Sequence, residues 1–341
     1  MNAISRRLLA ACISVLLLAA GTRLVLAAEA ERPDVLLIMV DDLNTMIEPL
    51  GDPQAITPNL TRLANRGMLF TNAHSVAPQC NAIRTAALFG MLPSTTGVYG
   101  NAQDWRAMEL FKDKPSLPRH FRDAGYLTFG SGKIFHAHTF FPGGHPGFND
   151  VTAWNDFWPA LDWQLPDELK PADVEQLKFN WGPVVGTFDA TIDGMTSAYV
   201  VRRMKETNGS RQSRFIGAGI YRPHAPWYNP QEYFNLYARD AVQLPPYKAD
   251  DLDDIAPAHH DRQRMLPIME AGAWKDAVQA YLSSVTVADE AVGRLLDALD
   301  ASGRADRTII VLMSDHGYQL GEKNQRNKQR RFGPKYLYLQ K

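Results

Sequence analysis

Cysteine is scarce in this chain: there are 2 in 341 residues. The chain also has no excess of charge of either sign and, past its N-terminal segment, no long apolar run. Each scarcity excludes something. Two cysteines cannot build a disulfide framework. A formal net charge of -1 offers no basic surplus for gripping a polyanion, so nucleic acid is not an expected partner. No later segment supplies the roughly 18 uncharged apolar residues of a membrane span. The N-terminus is different. Arg6 and Arg7 precede an apolar run from Leu8 to Ala20, and Val25-Leu26-Ala27 and Ala28-Glu29-Ala30 both suit cleavage. Residues 1–27 therefore read as a signal peptide and the protein as exported, periplasmic or secreted, with no stable membrane span after cleavage. An uncleaved anchor is the alternative, but Arg23 and Glu29 bracket too short a stretch. Cleavage removes Cys12 and leaves Cys80 alone. A lone cysteine is commonly an inert small hydrophobe; the competing reading is a cysteine used chemically.

The full chain is 45% hydrophobic and 21% charged, enough for one large core or two. Asp34 to Val40 is a continuous apolar run, as expected of a strand buried on both faces of a parallel sheet, and it ends in Asp41-Asp42. Thr57-Pro58 opens a helix, with Thr57 as its N-cap and Gly67 as its stop. Short strands are expected at Met68 to Phe70 and Tyr126 to Phe129, and helices from just after Cys80 to Phe89 and over Ser116 to Ala124. Residues 140–190 and 241–262 read as loops, the former rich in Pro, Trp, Gly and Asp. Arg214 to Ile220 reads as a strand followed by Tyr221-Arg222-Pro223-His224, and Trp274 to Leu299 as a long helix. Thr308 to Met313 is a second apolar strand, running into Ser314-Asp315-His316-Gly317.

Ligands of open α/β sheets sit beyond the carboxyl ends of the strands. If the two apolar strands are neighbours, three carboxylates and an imidazole meet at one sheet edge. Such acids repel unless a cation neutralises them, and oxygen donors favour a hard divalent ion, Ca²⁺ or Mg²⁺. One Asp after a strand is more often a turn or a cap; two such pairs are harder to dismiss.

Five segments in order, Asp41-Asp42-Leu43-Asn44, Cys80-Asn81-Ala82-Ile83-Arg84, Gly132-Lys133-Ile134-Phe135-His136, Tyr221-Arg222-Pro223-His224 and Ser314-Asp315-His316-Gly317, resemble the motifs of the type I, formylglycine-dependent sulfatases of the alkaline-phosphatase-like superfamily. The details, Gly132 to His136 above all, resemble the iduronate-2-sulfatase branch. The similarity covers about residues 33–328 and implies an α/β three-layer sandwich with a mostly parallel central sheet flanked by helices. It implies hydrolysis of sulfate esters on a sulfated sugar or polysaccharide. Cys80 would be oxidised to formylglycine by a maturation enzyme that reads Cys80, Ala82 and Arg84; Ile83 departs from the small residue usual there. The hydrated aldehyde carries two hydroxyls, one to accept the sulfuryl group and one to expel it. By the same resemblance, Asp41, Asp42, Asp315, His316 and modified Cys80 hold one calcium ion. His316 has a second reading, contact with sulfate or with Cys80, because imidazole is a less typical calcium ligand. Arg84, Lys133, His136, His224 and Lys328 complete the catalytic set, with Lys323 competing for the role of Lys328.

The resemblance departs at the end. Members of the family continue through another core strand and a C-terminal subdomain, whereas residues 329–341 resemble neither the family nor a strand. The expectation is a missing subdomain and an apolar sheet edge left open. Two other functions stay in view: a phosphoester or phosphonate hydrolase on the same scaffold, and a truncated, inactive relative.

Overall fold

The apolar run after Asp34 forms a strand without one exposed residue, β1 (Asp34–Asp41). The computed structural model describes residues 32–136, 147–158, 181–248, 250–253 and 265–322, with the backbone of strands at 326–327 and 337–340; residues 1–27, and with them the expected signal peptide, lie outside the described residues. β1 sits inside a seven-stranded sheet. Its other members are β2 (Met68–Leu69), β3 (Leu127–Gly132), β4 (Asp156–Trp158), β6 (Arg214–Pro223), β8 (Thr308–Ser314) and β11 (Leu337–Gln340). They lie in the order β2-β11-β8-β1-β6-β3-β4. β8, β1, β6, β3 and β4 run parallel; β11 is antiparallel to both its neighbours. β5 (Trp181–Val184) pairs with β7 (Trp227–Pro230), and β9 (Gln319–Leu320) with β10 (Arg326–Asn327), in two small separate sheets.

Side chains alternate across a strand, and β1 uses both faces. Leu36, Ile38 and Val40 enter a core with helices α1 (Pro58–Arg66), α4 (Ile192–Glu206) and α5 (Trp274–Ala301). Val35, Leu37 and Met39 enter the other, with α2 (Cys80–Phe89) and α3 (Leu117–Asp123). The sheet is thus sandwiched between two helical layers, the expected three-layer arrangement. Among the described residues no helix is long and apolar enough to cross a membrane.

Two expectations need correction, and one helix was not foreseen. Thr57 occupies the N-cap position of α1 but its hydroxyl accepts the Glu48 amide instead, at 2.9 Å. The cap comes from α5: Asp289 accepts the amides of Asn59 (3.1 Å) and Leu60 (2.7 Å). The C-terminal tail does hold a strand, because β11 pairs with Met313 to Ile310 of β8 and covers the edge expected to stay open. Residues 192–206 form a full helix that periodicity does not announce. Gly194 and several β-branched or hydroxyl residues weaken its propensity, but the Thr191 hydroxyl caps the Gly194 amide at 2.9 Å. A side chain at Gly194 would meet the Phe188 carbonyl.

At the amino edge of the sheet Asp34 is buried between two guanidiniums. It accepts from Arg214 Nε and Arg304 Nε at 2.9 and 2.8 Å. Burial alone would raise its pKa, yet Arg304 and Arg214 hold it below the usual carboxylate range. The charges ending this edge are therefore paired within the protein.

Asp289 behaves oppositely: burial pushes its pKa from 3.8 up to about 6, against the pull of the two amides. The folded state then holds this proton more tightly than the unfolded chain, so stability falls as pH rises from about 4 to about 6. Urea midpoints measured across that window should show this slope, and Asp289→Asn should flatten it. Asp289→Ala should cost about 1–2 kcal/mol, the range for a lost helix cap.

Candidate active site

β1 and β8 are parallel neighbours, and Val40 lies opposite Ser314. Asp41, Asp42, Asp315 and His316 therefore emerge side by side at the carboxyl edge. The Asp315 amide donates to the Val40 carbonyl at 3.1 Å. One oxygen of Asp315 accepts the amides of Asp42 (3.1 Å) and His316 (2.7 Å), knotting the two strand ends together. Asp42 is turned by a left-handed backbone, φ 66°, a conformation that Asp tolerates better than most residues.

Cys80 is the first residue of α2, whose free amides favour negative charge. It is fully buried. Its Sγ lies 3.2 Å from His316 Nε2 and 3.6 Å from Asp41 Oδ1. His316 presents its other ring nitrogen to Asp42, at 2.9 Å. One turn along α2, Arg84 reaches Asp315 Oδ2 at 3.1 Å and Asp41 Oδ1 at 3.5 Å, and it donates to the carbonyls of Lys133 and Ile134. Burial alone would lower the Arg84 pKa, but Asp315 and Asp41 raise it and keep the guanidinium charged. Lys133, just beyond β3, bonds Asp41 Oδ2. His224 Nε2 stands 3.9 Å from the same oxygen.

Lys133 is brought close by glycine. Gly132 (φ 75°) faces Gly219 across β3 and β6, and a Cβ on Gly132 would lie 2.1 Å from the Gly219 carbonyl oxygen. A Cβ on Gly219 would lie 2.2 Å from the Lys133 carbonyl carbon.

The structure thus gathers Asp41, Cys80, Arg84, Lys133, Asp315 and His316 into one buried cluster, with Asp42 behind His316 and His224 at its margin. Ligand atoms of Asp41, Cys80, Asp315 and His316 all lie within 4.8 Å of one another. Their chemistry suits a divalent cation, because carboxylates packed this tightly repel without one. His136 is buried three residues past Lys133, its ring beside Phe148. Lys328 and Lys323 lie outside the described residues.

Sequence reasoning missed a supporting shell. Asp193, on α4, accepts the amides of Tyr221 (2.7 Å) and Arg222 (2.9 Å), and burial raises its pKa to about 6. Arg222 donates to Asn229 Oδ1, to the His224 carbonyl and to the Tyr228 carbonyl. Asn229 in turn donates to Ser283 and Ser284 of α5. The legible signal was Ser283-Ser284 itself, two hydroxyls inside an otherwise apolar helical stripe. Tyr281, also on α5, accepts the Asn44 amide at 2.9 Å and donates to the Asp42 carbonyl at 2.8 Å.

The family model described as "Sulfatase" matches residues 33–339. A protein from Formosa agariphila named "Sulfatase" is 38% identical, the match covering 86% of this chain and 61% of that one. Human "Iduronate 2-sulfatase" is 28% identical, with 91% and 59% covered. The chain thus spans about three fifths of the length of these curated relatives. Among solved structures, a phosphonate monoester hydrolase from Silicibacter pomeroyi superposes with a TM-score of 0.72 at 19% identity, covering 90% of this chain and 68% of that one. At that identity the likeness is one of fold.

Tyr281→Phe should leave the buried Asn44 amide and Asp42 carbonyl without their hydroxyl partner. The expected loss is about 1–3 kcal/mol, read as a lower denaturant midpoint with an unchanged slope.

Proposed function

Because the chain belongs to the sulfatase family, we propose that it hydrolyses sulfate esters on a sulfated sugar or polysaccharide, using a nucleophile made from Cys80. The observation that carries this reading is the setting of Cys80. It begins a helix, between the acids that end two central strands and within reach of His316. A maturation enzyme reading Cys80, Ala82 and Arg84 would convert the side chain to formylglycine. The hydrated aldehyde would supply two hydroxyls on one carbon, one to accept the sulfuryl group and one to release it. Asp41, Asp42, Asp315 and His316 would hold calcium, which when bound would supply positive charge against the sulfate oxygens.

The chain's own residues divide the remaining work. Arg84 and Lys133 keep two positive charges beside residue 80, each tied to Asp41, so they need no rearrangement when the sulfate arrives. In its second reading, as a contact of residue 80 and not a ligand of the cation, His316 would take the proton of the nucleophilic position that its Nε2 faces. His224, 12% exposed while Asp41 is fully buried, stands on the open side of the cluster. That position suits a proton donor to the departing sugar oxygen. His136 and Lys328 are assigned to sulfate binding and proton handling by their place in the motifs. The sugar in the name of the human relative supports a carbohydrate substrate.

Peptide mass spectrometry of the exported protein should show the Cys80 peptide lighter by about 18 Da, the change from thiol to aldehyde. An intact thiol in protein that cleaves sulfate esters would sink the reading. His224→Gln should slow cleavage of alkyl sulfates by about 10²–10⁴-fold, and of nitrophenyl sulfate, whose leaving group needs no proton, far less.

A further inference from the structure

Before any conversion, the same cluster has a different ligand chemistry. Its donors are a thiol sulfur, an imidazole nitrogen and two carboxylates, the set that borderline-soft divalent ions prefer. We propose that the chain with Cys80 still a thiol is a zinc-class metal site, ligated by Cys80 Sγ, His316 Nε2, Asp41 and Asp315.

Three observations carry this. The first is spacing. Zinc bonds of roughly 2.0–2.3 Å in a tetrahedron place neighbouring ligand atoms roughly 3.3–3.7 Å apart. Three of the six ligand pairs, Cys80–His316, Cys80–Asp41 and His316–Asp315, stand at 3.2, 3.6 and 3.5 Å, and all six lie within 4.8 Å, so an ion would draw the set together. The second is orientation. A ligating histidine usually gives its second N–H to a carboxylate, which fixes the ring. Here a backbone carbonyl serves: His316 Nδ1 hydrogen-bonds the Gly317 carbonyl at 3.3 Å, with Asp42 Oδ1 2.9 Å away, and Nε2 faces the sulfur. The third is charge. A Cys80 thiolate with Asp41, Asp42 and Asp315 brings four negative charges, and Arg84 and Lys133 return two. One divalent ion balances the rest, as the thiol proton passes to solvent.

Conversion of Cys80 removes the sulfur and leaves an oxygen-rich set, so maturation would also change the class of ion the site selects. Only that last step rests on the proposed function; the thiol-state site stands without it. All four ligands are buried, so loading accompanies folding.

The chain, with Cys80 confirmed as a thiol by mass, is unfolded with chelator and refolded with cobalt(II), zinc or calcium. One equivalent of cobalt is expected, with the intense visible bands of a tetrahedral ion and a near-ultraviolet sulfur-to-cobalt band. Zinc should displace it and a large excess of calcium should not. Cys80→Ser should abolish the sulfur band and weaken zinc binding by more than about 100-fold, the upper range for losing even an outer partner. Zinc-edge X-ray absorption of the unsubstituted chain needs no variant, and should show one sulfur at about 2.3 Å. A metal shell without sulfur, the absence of a one-to-one complex, or equal zinc affinity in Cys80→Ser would overturn the proposal. The mass of the Cys80 peptide in exported protein judges the sulfatase reading separately.

Discussion

Three buried carboxylates at the end of two neighbouring strands set the terms for the rest of the molecule. Asp41, Asp42 and Asp315 are fully shielded from solvent, where like charges repel strongly. Arg84 and Lys133 enter from α2 and from the end of β3 to offset part of that repulsion. A divalent cation at the cluster would balance the negative charge that remains.

Holding that arrangement falls to helix α5. Its Tyr281 clamps the backbone of Asp42, and its Ser283 and Ser284 anchor Asn229 and, through it, Arg222 and the His224 turn. Its Asp289 meanwhile starts α1. A single long helix therefore registers the loop after β1 against the turn after β6. Those are the two segments that carry Asp42 and His224.

The parts legible in sequence were those with strong local signals. The unbroken apolar run from Val35 to Val40 announced a central strand, and the acids at the ends of two such runs announced the site. Cys80 gained meaning only from its neighbours in the motif. The unreadable parts depend on partners far away in the chain. Thr57 looked like a cap because the local pattern is right, yet the capping carboxylate, Asp289, lies 230 positions beyond Asn59, whose amide it accepts. Helix α4 owes its existence to a cap and a tight glycine contact more than to propensity. The strand at Leu337–Gln340 is specified by the exposed edge of β8 that it covers rather than by its own composition.

The glycine contact between β3 and β6 has a further consequence. With Gly132 and Gly219 backbone to backbone, the main chain that carries Lys133 is held at a contact too close for a side chain. Adjustment of the pocket to new substrates must then come from the other margins of the site, leaving this seam a fixed datum against which those margins vary.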